Sequence, residues 1–142
     1  MSDNPTKYQL ENIELGLTKQ FKVIITGSLI EKFAELSGDY NPLHMNEEYA
    51  KSTNYKRRIS HGMLLASFFS RLVGMHIPGE NSLYLSQSLK FLSPCFIGDE
   101  ITIEGTVVSK STSTGIITLE TKITNGLGTC LVKGESKVLV RK

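Results

Sequence analysis

The spacing of apolar residues changes along the chain, from helical in the first half to alternating in the second. A partial alternation over residues 15–25 predicts a half-buried strand. A helix is expected next, with Ser28 and Glu31 as a capping box and Gly38 at its end, because glycine accepts the left-handed conformation of a helix C-cap. Residues 1–13, before these elements, are expected to form a loosely held arm.

The most apolar run begins at His61 and predicts a long helix that ends near Gly74. Apolar side chains lie on almost every side of this helix, so the rest of the fold must wrap it. From Ser82 onward the alternation is typical of strands, including one long strand that stops at Pro94. These elements predict an α+β protein with the hot-dog fold, a curved antiparallel sheet around a central helix, in a single domain spanning residues 1–142.

Composition and charge exclude several classes of protein. Of the 142 residues, 39% are hydrophobic and 21% are charged, and the formal net charge is only +2. So small a charge does not favour a nucleic-acid partner or an anionic membrane surface. The apolar run over residues 63–73 is broken by polar residues and is too short to cross a bilayer. No signal peptide is recognisable at the N-terminus.

The two cysteines, Cys95 and Cys130, are far apart and lack the CxxC spacing of a metal or redox site. Two buried free thiols are therefore favoured over a disulfide or a metal centre. We expect a cytoplasmic protein that needs neither a metal nor a cofactor.

The first chemistry-bearing candidates are Asp39 and His44, which flank a loop over residues 39–45. Pro42 fixes its own backbone angle and restricts Asn41 to extended geometry, so the loop has a reproducible shape. A carboxylate and an imidazole that converge on one water molecule can divide acid and base work between them. Each residue taken alone is explained as well by a turn residue or a hydrogen-bonded histidine.

Gly62, at the start of the apolar helix, is a candidate oxyanion donor. The first N–H groups of a helix have no internal partner and lie at its positive end, and glycine has no side chain to keep a ligand carbonyl away. Such an N–H can stabilise a thioester oxygen as it becomes enolate-like. The alternative is a plain helix start capped by Ser60, and His61 is interpreted as part of that cap rather than as a second ionisable group.

Several other residues have roles that the sequence leaves open. Ser70 could support Asp39, although a hydrogen bond to its own helix backbone is favoured. The basic run at residues 56–58, which includes Arg58, could bind the phosphates of a nucleotide tail or form a solvated turn. Leu65 and Phe69 are bulky enough to line or close a substrate pocket.

Two motifs resemble the hydratase-2 motif of the MaoC-like, (R)-specific enoyl-CoA hydratases. They are SGDYNPLH at residues 37–44 and HGML at residues 61–64. The likeness covers residues 15–140 and is strongest to the short hydratases, with one hot dog per chain, that feed polyhydroxyalkanoate synthesis.

The resemblance implies a homodimeric enzyme that converts trans-2-enoyl-CoA to (R)-3-hydroxyacyl-CoA. Carried over by position, Asp39 and His44 are the catalytic pair, Asn41 supports the loop and the water, and Gly62 is the oxyanion donor. Family members often have Asp where this chain has Asn46. Because Asn caps a helix as well as Asp does, we expect the chemistry to be unaffected.

The sequence leaves three alternatives to a hydratase of fatty-acid or polyhydroxyalkanoate metabolism. A dehydratase acting on acyl-carrier-protein thioesters runs the same chemistry in reverse. A non-catalytic acyl-CoA-binding hot-dog protein needs neither Asp39 nor His44. A thioesterase needs a nucleophile or base on the central helix, which offers only Ser67 and Ser70.

Overall fold

In the described residues 4–142 of the computed structural model, the alternating segments form one antiparallel sheet. Its six strands are β1 Thr18–Ile24, β2 Ser82–Gln87, β3 Lys90–Phe91, β4 Glu100–Lys110, β5 Ile116–Thr124 and β6 Cys130–Val140. The strand order is β1-β4-β5-β6-β2, and the short β3 also pairs with β6. Strands β1 and β2 are therefore the two edges of the sheet.

The helices are α1 Gly27–Ser37, α2 Pro42–Met45, α3 Glu47–Lys51 and α4 Gly62–Arg71, and α4 continues into a π-helical turn, Leu72–His76. Helix α4 is the predicted central helix, with Leu64, Leu65 and Phe69 buried. The hot-dog prediction is thus confirmed, although the last part of the helix is π rather than α. None of these helices has the length and hydropathy needed to cross a membrane.

Gly105 of β4 lets the central helix approach the sheet closely. A Cβ atom at this position would lie 2.8 Å from Cδ2 of Leu72, which follows α4 directly. Since real Cβ atoms do not approach other carbons that closely, any larger residue would force the Leu72 side chain to shift.

The start of α1 differs from the predicted capping box. Helix α1 begins at Gly27, and the side chain of Thr26 accepts the N-cap hydrogen bond from the Leu29 N–H at 3.2 Å. Ser28 therefore lies inside the first turn and does not cap it. The predicted end is confirmed, because Gly38 is the C-cap with a φ of 82°.

The predicted continuous strand that stops at Pro94 is interrupted. The register of β2 against β6 shifts between Tyr84 and Ser86, β2 ends at Gln87, and ladder pairing with β6 starts again in β3. Leu83 and Leu85 of this strand are 49% and 48% exposed. The edge strand β2 thus presents apolar side chains to solvent in the single chain.

The expected loose arm is instead held against the domain over residues 4–13, whereas residues 1–3 lie outside the described part. The Thr6 N–H donates to the Met75 carbonyl at 3.1 Å, and Lys110 Nζ donates to the Ile13 carbonyl at 2.8 Å. The side chain of Ile13 is 0% exposed. This segment covers the far end of the central helix.

Replacing Ile13 with Ala is therefore expected to lower the free energy of unfolding by about 2–4 kcal/mol, since it leaves a cavity in the core. Urea titration followed by circular dichroism measures the change. Leu15→Ala is the matched control: this side chain is 65% exposed and should change stability by less than about 0.5 kcal/mol. Equal effects of the two substitutions would show that the segment is not part of the core.

The two cysteines are free thiols, as predicted, but only Cys95 is buried, while Cys130 is partly exposed. Burial, together with the carboxylate of Asp99, raises the pKa of Cys95 to about 12. Cys95 is therefore a neutral thiol and a poor nucleophile.

Candidate active site

Helix α2 presents His44 from a helical turn, where the sequence predicted only a loop. Asn41 is its N-cap, with the side-chain oxygen accepting from the Leu43 N–H at 3.0 Å. Pro42 occupies the first helical position, where its missing N–H costs nothing. Asn41 therefore supports the histidine through the backbone of the turn.

Asp39 is exposed and directly follows the end of α1. Its N–H donates to Ser37 Oγ at 3.2 Å, and its Oδ1 accepts from the Asn41 N–H at 3.1 Å. These bonds fix both its backbone and its side chain and link it to the residue that caps α2. The carboxylate is thus held in place while remaining open to a ligand.

The imidazole of His44 is held by its Nδ1 atom, which lies 2.9 Å from the carbonyl oxygen of Ile59. Because a carbonyl can only accept, Nδ1 carries the hydrogen in this contact, and the neutral ring has its lone pair on Nε2. Arg58 Nε donates to the His44 carbonyl at 2.6 Å. Residues 58 and 59 therefore fix both the ring orientation and the backbone of His44.

Asp39, His44 and His61 converge, with one carboxylate or ring-nitrogen atom from each lying within 4.8 Å of the others. Two hydrogen bonds of about 2.8 Å to one oxygen, at a tetrahedral angle, span about 4.6 Å. The 4.8 Å limit therefore allows Asp39 and His44 to share a single water molecule. The carboxylate and imidazole groups of these three residues are also of the kinds that bind divalent cations.

Helix α4 starts beside this cluster without a capping side chain. His61 occupies the N-cap position but makes no side-chain cap bond, and Ser60 Oγ donates to the His61 carbonyl at 3.1 Å instead. The predicted Ser60 cap is therefore wrong. The N–H groups of the first turn, beginning with Gly62, are left for a ligand.

A Cβ atom at Gly62 would lie 2.6 Å from Cδ1 of Phe91. Glycine is therefore needed for the Phe91 ring to lie against the helix start. Sequence inspection missed Phe91, because its contact with Gly62 depends on how β3 crosses the helix.

A cleft of about 240 Å³ opens at the same place. Gly62, Leu65, Phe91 and Cys95 are among its lining residues, so the predicted substrate-contacting Leu65 does reach a cavity. A larger cavity of about 520 Å³ lies against β4, β5 and β6 and is lined by none of the predicted site residues. We assign the smaller cleft to the substrate because it is lined by Gly62 at the helix N-terminus and by Ile59, whose carbonyl binds His44.

The other predicted site residues are placed differently. Phe69 is 1% exposed and belongs to the hydrophobic core. Ser70 is exposed near the end of α4 and makes no hydrogen bond to Asp39 within residues 4–142. Arg58 donates to the His44 carbonyl, so in the single chain it supports the loop.

His61 is part of the cap of α4, as predicted, but its side chain makes contacts that the sequence did not predict. Its imidazole is 2% exposed, donates through Nε2 to the Asp39 carbonyl at 2.9 Å and lies 4.0 Å from the His44 ring, centroid to centroid. Burial is the main cause that lowers the pKa of His61. The adjacent Gly62 was the available signal, since it places the histidine beside the ligand-binding helix start.

Replacing Asn41 with Ala is expected to lower kcat about tenfold or more through misplacement of His44, along with a stability loss of about 1 kcal/mol for the missing cap. Asn46→Ala is the matched control, since Asn46 caps α3 by accepting from the Tyr49 N–H at 2.9 Å. It should cost similar stability and leave kcat nearly unchanged. Initial rates and thermal unfolding of both variants check this, and an equal loss of kcat would contradict it.

The fold and these residues together define a hot-dog protein equipped for acid–base chemistry on a carbonyl compound. The chain belongs to the MaoC-like domain family, whose model matches residues 11–126. That match confirms the family suggested by the two motifs.

Individual relatives agree with this assignment. The chain is 41% identical to an (R)-specific enoyl-CoA hydratase of Aeromonas caviae over 90% of its length and 96% of the relative. It is 39% identical to another from Rhodospirillum rubrum, over 98% of this chain and 96% of that protein.

Solved structures show the same likeness. The (R)-hydratase of Aeromonas caviae, described as involved in PHA biosynthesis, has a TM-score of 0.90 over 92% of this chain and 98% of that chain. An R-hydratase of Pseudomonas aeruginosa also has a TM-score of 0.90, at 31% identity, covering 94% of this chain and 85% of its own.

Proposed function

We propose that this protein is an (R)-specific enoyl-CoA hydratase, which adds water to trans-2-enoyl-CoA and forms (R)-3-hydroxyacyl-CoA. The observation that carries the proposal is the convergence of the Asp39 carboxylate and the His44 imidazole to within 4.8 Å, close enough for both to bind one water. Relatives named as hydratases at 39–41% identity over most of the chain support it.

The geometry supports a defined path for the water. Asp39 accepts one proton as the water oxygen bonds to the β-carbon, and the lone pair of His44 Nε2 orients the water through its other hydrogen. The electrons of the double bond move toward the thioester oxygen, which accepts a hydrogen bond from the Gly62 N–H. A proton returned from the Asp39–His44 pair to the α-carbon completes the addition and restores the enzyme.

The path uses only water and protein groups, so we propose that no metal or cofactor takes part. Cys95 lines the cleft, but its raised pKa, about 12, makes it unsuitable as the nucleophile of a thioesterase. A protein that only binds acyl-CoA has no need for an oriented Asp–His pair. Hydration or its reverse is the chemistry that these residues serve best.

We propose that the active species is a homodimer. Strand β2 is an edge of the sheet, and its outward Leu83 and Leu85 side chains are about half exposed. An unpaired strand edge carrying apolar residues favours association with a second copy. The free thiols Cys95 and Cys130 support a reducing, cytoplasmic location, in fatty-acid or polyhydroxyalkanoate metabolism.

The test is a hydration assay on trans-2-enoyl-CoA substrates of increasing chain length, with chiral analysis of the product. The expected result is turnover of short-to-medium chains to the (R)-3-hydroxyacyl-CoA. Parallel assays with acyl-carrier-protein thioesters decide between the two carriers, and faster turnover on those would assign the protein as a carrier-protein dehydratase. Absence of turnover on both, or an (S) product, would refute the proposal.

A further inference from the structure

His61 is the most buried member of the cluster that it forms with Asp39 and His44, and the proposed path gives it no role. Its imidazole is 2% exposed and lies 4.0 Å from the His44 ring with a tilt of 31° between the two planes. The Phe33 ring of α1 lies 4.8 Å away. The ring of His61 is thus held between the aromatic face of α1 and the His44 imidazole.

One nitrogen of His61 connects two parts of the site. Its Nε2 lies 2.9 Å from the carbonyl oxygen of Asp39, a residue 22 positions earlier in the chain. Because a carbonyl only accepts, Nε2 carries the hydrogen. The backbone of His61 meanwhile forms the N-cap of α4, directly before Gly62. A single side chain therefore joins the Asp39 main chain to the helix start.

The other nitrogen of His61 shows which form the ring takes. Within residues 4–142, Nδ1 is buried and has no hydrogen-bond partner. A protonated ring would place a second, unsatisfied N–H there and a positive charge beside His44. Burial and the neighbouring His44 lower the pKa of His61, against the opposing effects of the bond to the Asp39 carbonyl and of the Asp39 carboxylate. Both observations favour the neutral ring, with its hydrogen on Nε2.

We propose that His61 is a positioning residue: its imidazole ties the Asp39 main chain to the start of α4 and supports the ring of His44. Since Gly62 follows directly, this tie sets the distance between the water-binding pair and the N–H that binds the carbonyl. The kinetic consequences rest on the proposed hydratase function, whereas the protonation pattern does not.

Two substitutions separate the hydrogen bond from the bulk of the side chain. His61→Gln keeps an N–H donor at a similar reach, while His61→Leu keeps a similar volume without one. We expect the Leu variant to have a kcat about 100-fold lower than the unmodified enzyme, with KM changed less than about threefold. The Gln variant should have a kcat at least about tenfold higher than that of the Leu variant. His76→Gln is the control, because His76 also packs against an aromatic ring, that of Phe21, but is only partly buried and lies at the far end of the helix.

If the Leu and Gln variants lose kcat equally while their unfolding temperatures match that of His76→Gln, the role of the hydrogen bond is overturned. A Leu variant within about threefold of the unmodified enzyme would overturn the proposal altogether. Thermal unfolding of every variant distinguishes these outcomes from a loss of folded protein.

Nitrogen NMR of the unmodified protein provides a test that needs no substrate. Ring nitrogens labelled with ¹⁵N should show His61 as the neutral Nε2–H tautomer near neutral pH, because burial lowers its pKa. A His61 ring that is protonated near neutral pH, or that has the hydrogen on Nδ1, would overturn the assignment. Because the spectrum does not depend on turnover, a failed hydratase assay and a failed His61 assignment remain distinguishable.

Discussion

Asp39→Asn should lower kcat for crotonyl-CoA hydration by about 1,000-fold, because an amide cannot accept the proton that the water loses. The fold should be retained, since the Asn side-chain oxygen can still accept the hydrogen bond from the Asn41 N–H that Asp39 Oδ1 accepts at 3.1 Å. The substitution thus removes the base without removing the local contact. Loss of the conjugated enoyl thioester absorbance measures the rate.

Asp99→Asn is the matched control for this substitution. Its carboxylate also accepts a backbone hydrogen bond, from the Phe96 N–H at 2.9 Å, but it takes no part in the proposed path. We expect its kcat to stay within about twofold of the unmodified enzyme. If Asp39→Asn were equally active, Asp39 would not be the base.

The second large effect is expected at Gly62, where proline can remove the N–H without breaking the helix. Proline is tolerated at the first helical position. The preceding residue, His61, has φ −56° and ψ 132°, which suits a residue before proline. Gly62→Pro should therefore lower kcat about 100-fold to 1,000-fold beyond any steric effect, the usual loss for a missing oxyanion donor.

Gly62→Ala measures the steric part, since it also adds a Cβ atom that would lie 2.6 Å from the Phe91 ring but keeps the N–H. Both variants are best compared again in a Phe91→Ala background, where that clash is absent. The difference between Pro and Ala should persist there. Equal kcat values for Pro and Ala in both backgrounds would refute the role of the Gly62 N–H.

Local sequence patterns predicted the fold and indicated the candidate site because their causes are local. The alternation of apolar residues predicted the strands, and the all-round apolar run predicted the central helix that the sheet wraps. The spacing of Asp39, Pro42 and His44 within one short segment marked the site before any contact was known. The resemblance to the MaoC-like hydratases was carried by the same residues.

The errors arose where a residue's role depends on a partner far along the chain. His61 reads as a cap residue until its side chain is seen to contact a carbonyl 22 positions earlier. Phe91 contacts Gly62 only because the strand is interrupted after Gln87 and resumes at Lys90. The periodicity of apolar residues carries no information on such long-range contacts. The residues that support the site could therefore be identified only from the structure.

Hydration in D₂O tests most directly the central claim that one water, held between Asp39 and His44, supplies both the hydroxyl and the proton. Deuterium enters at the α-carbon, and the NMR coupling between the remaining α-hydrogen and the β-hydrogen reports its position relative to the hydroxyl. Delivery from one water to one face predicts a single diastereomer, formed by syn addition, with the (R) configuration at the β-carbon. Anti addition, or an equal mixture of diastereomers, would contradict the account.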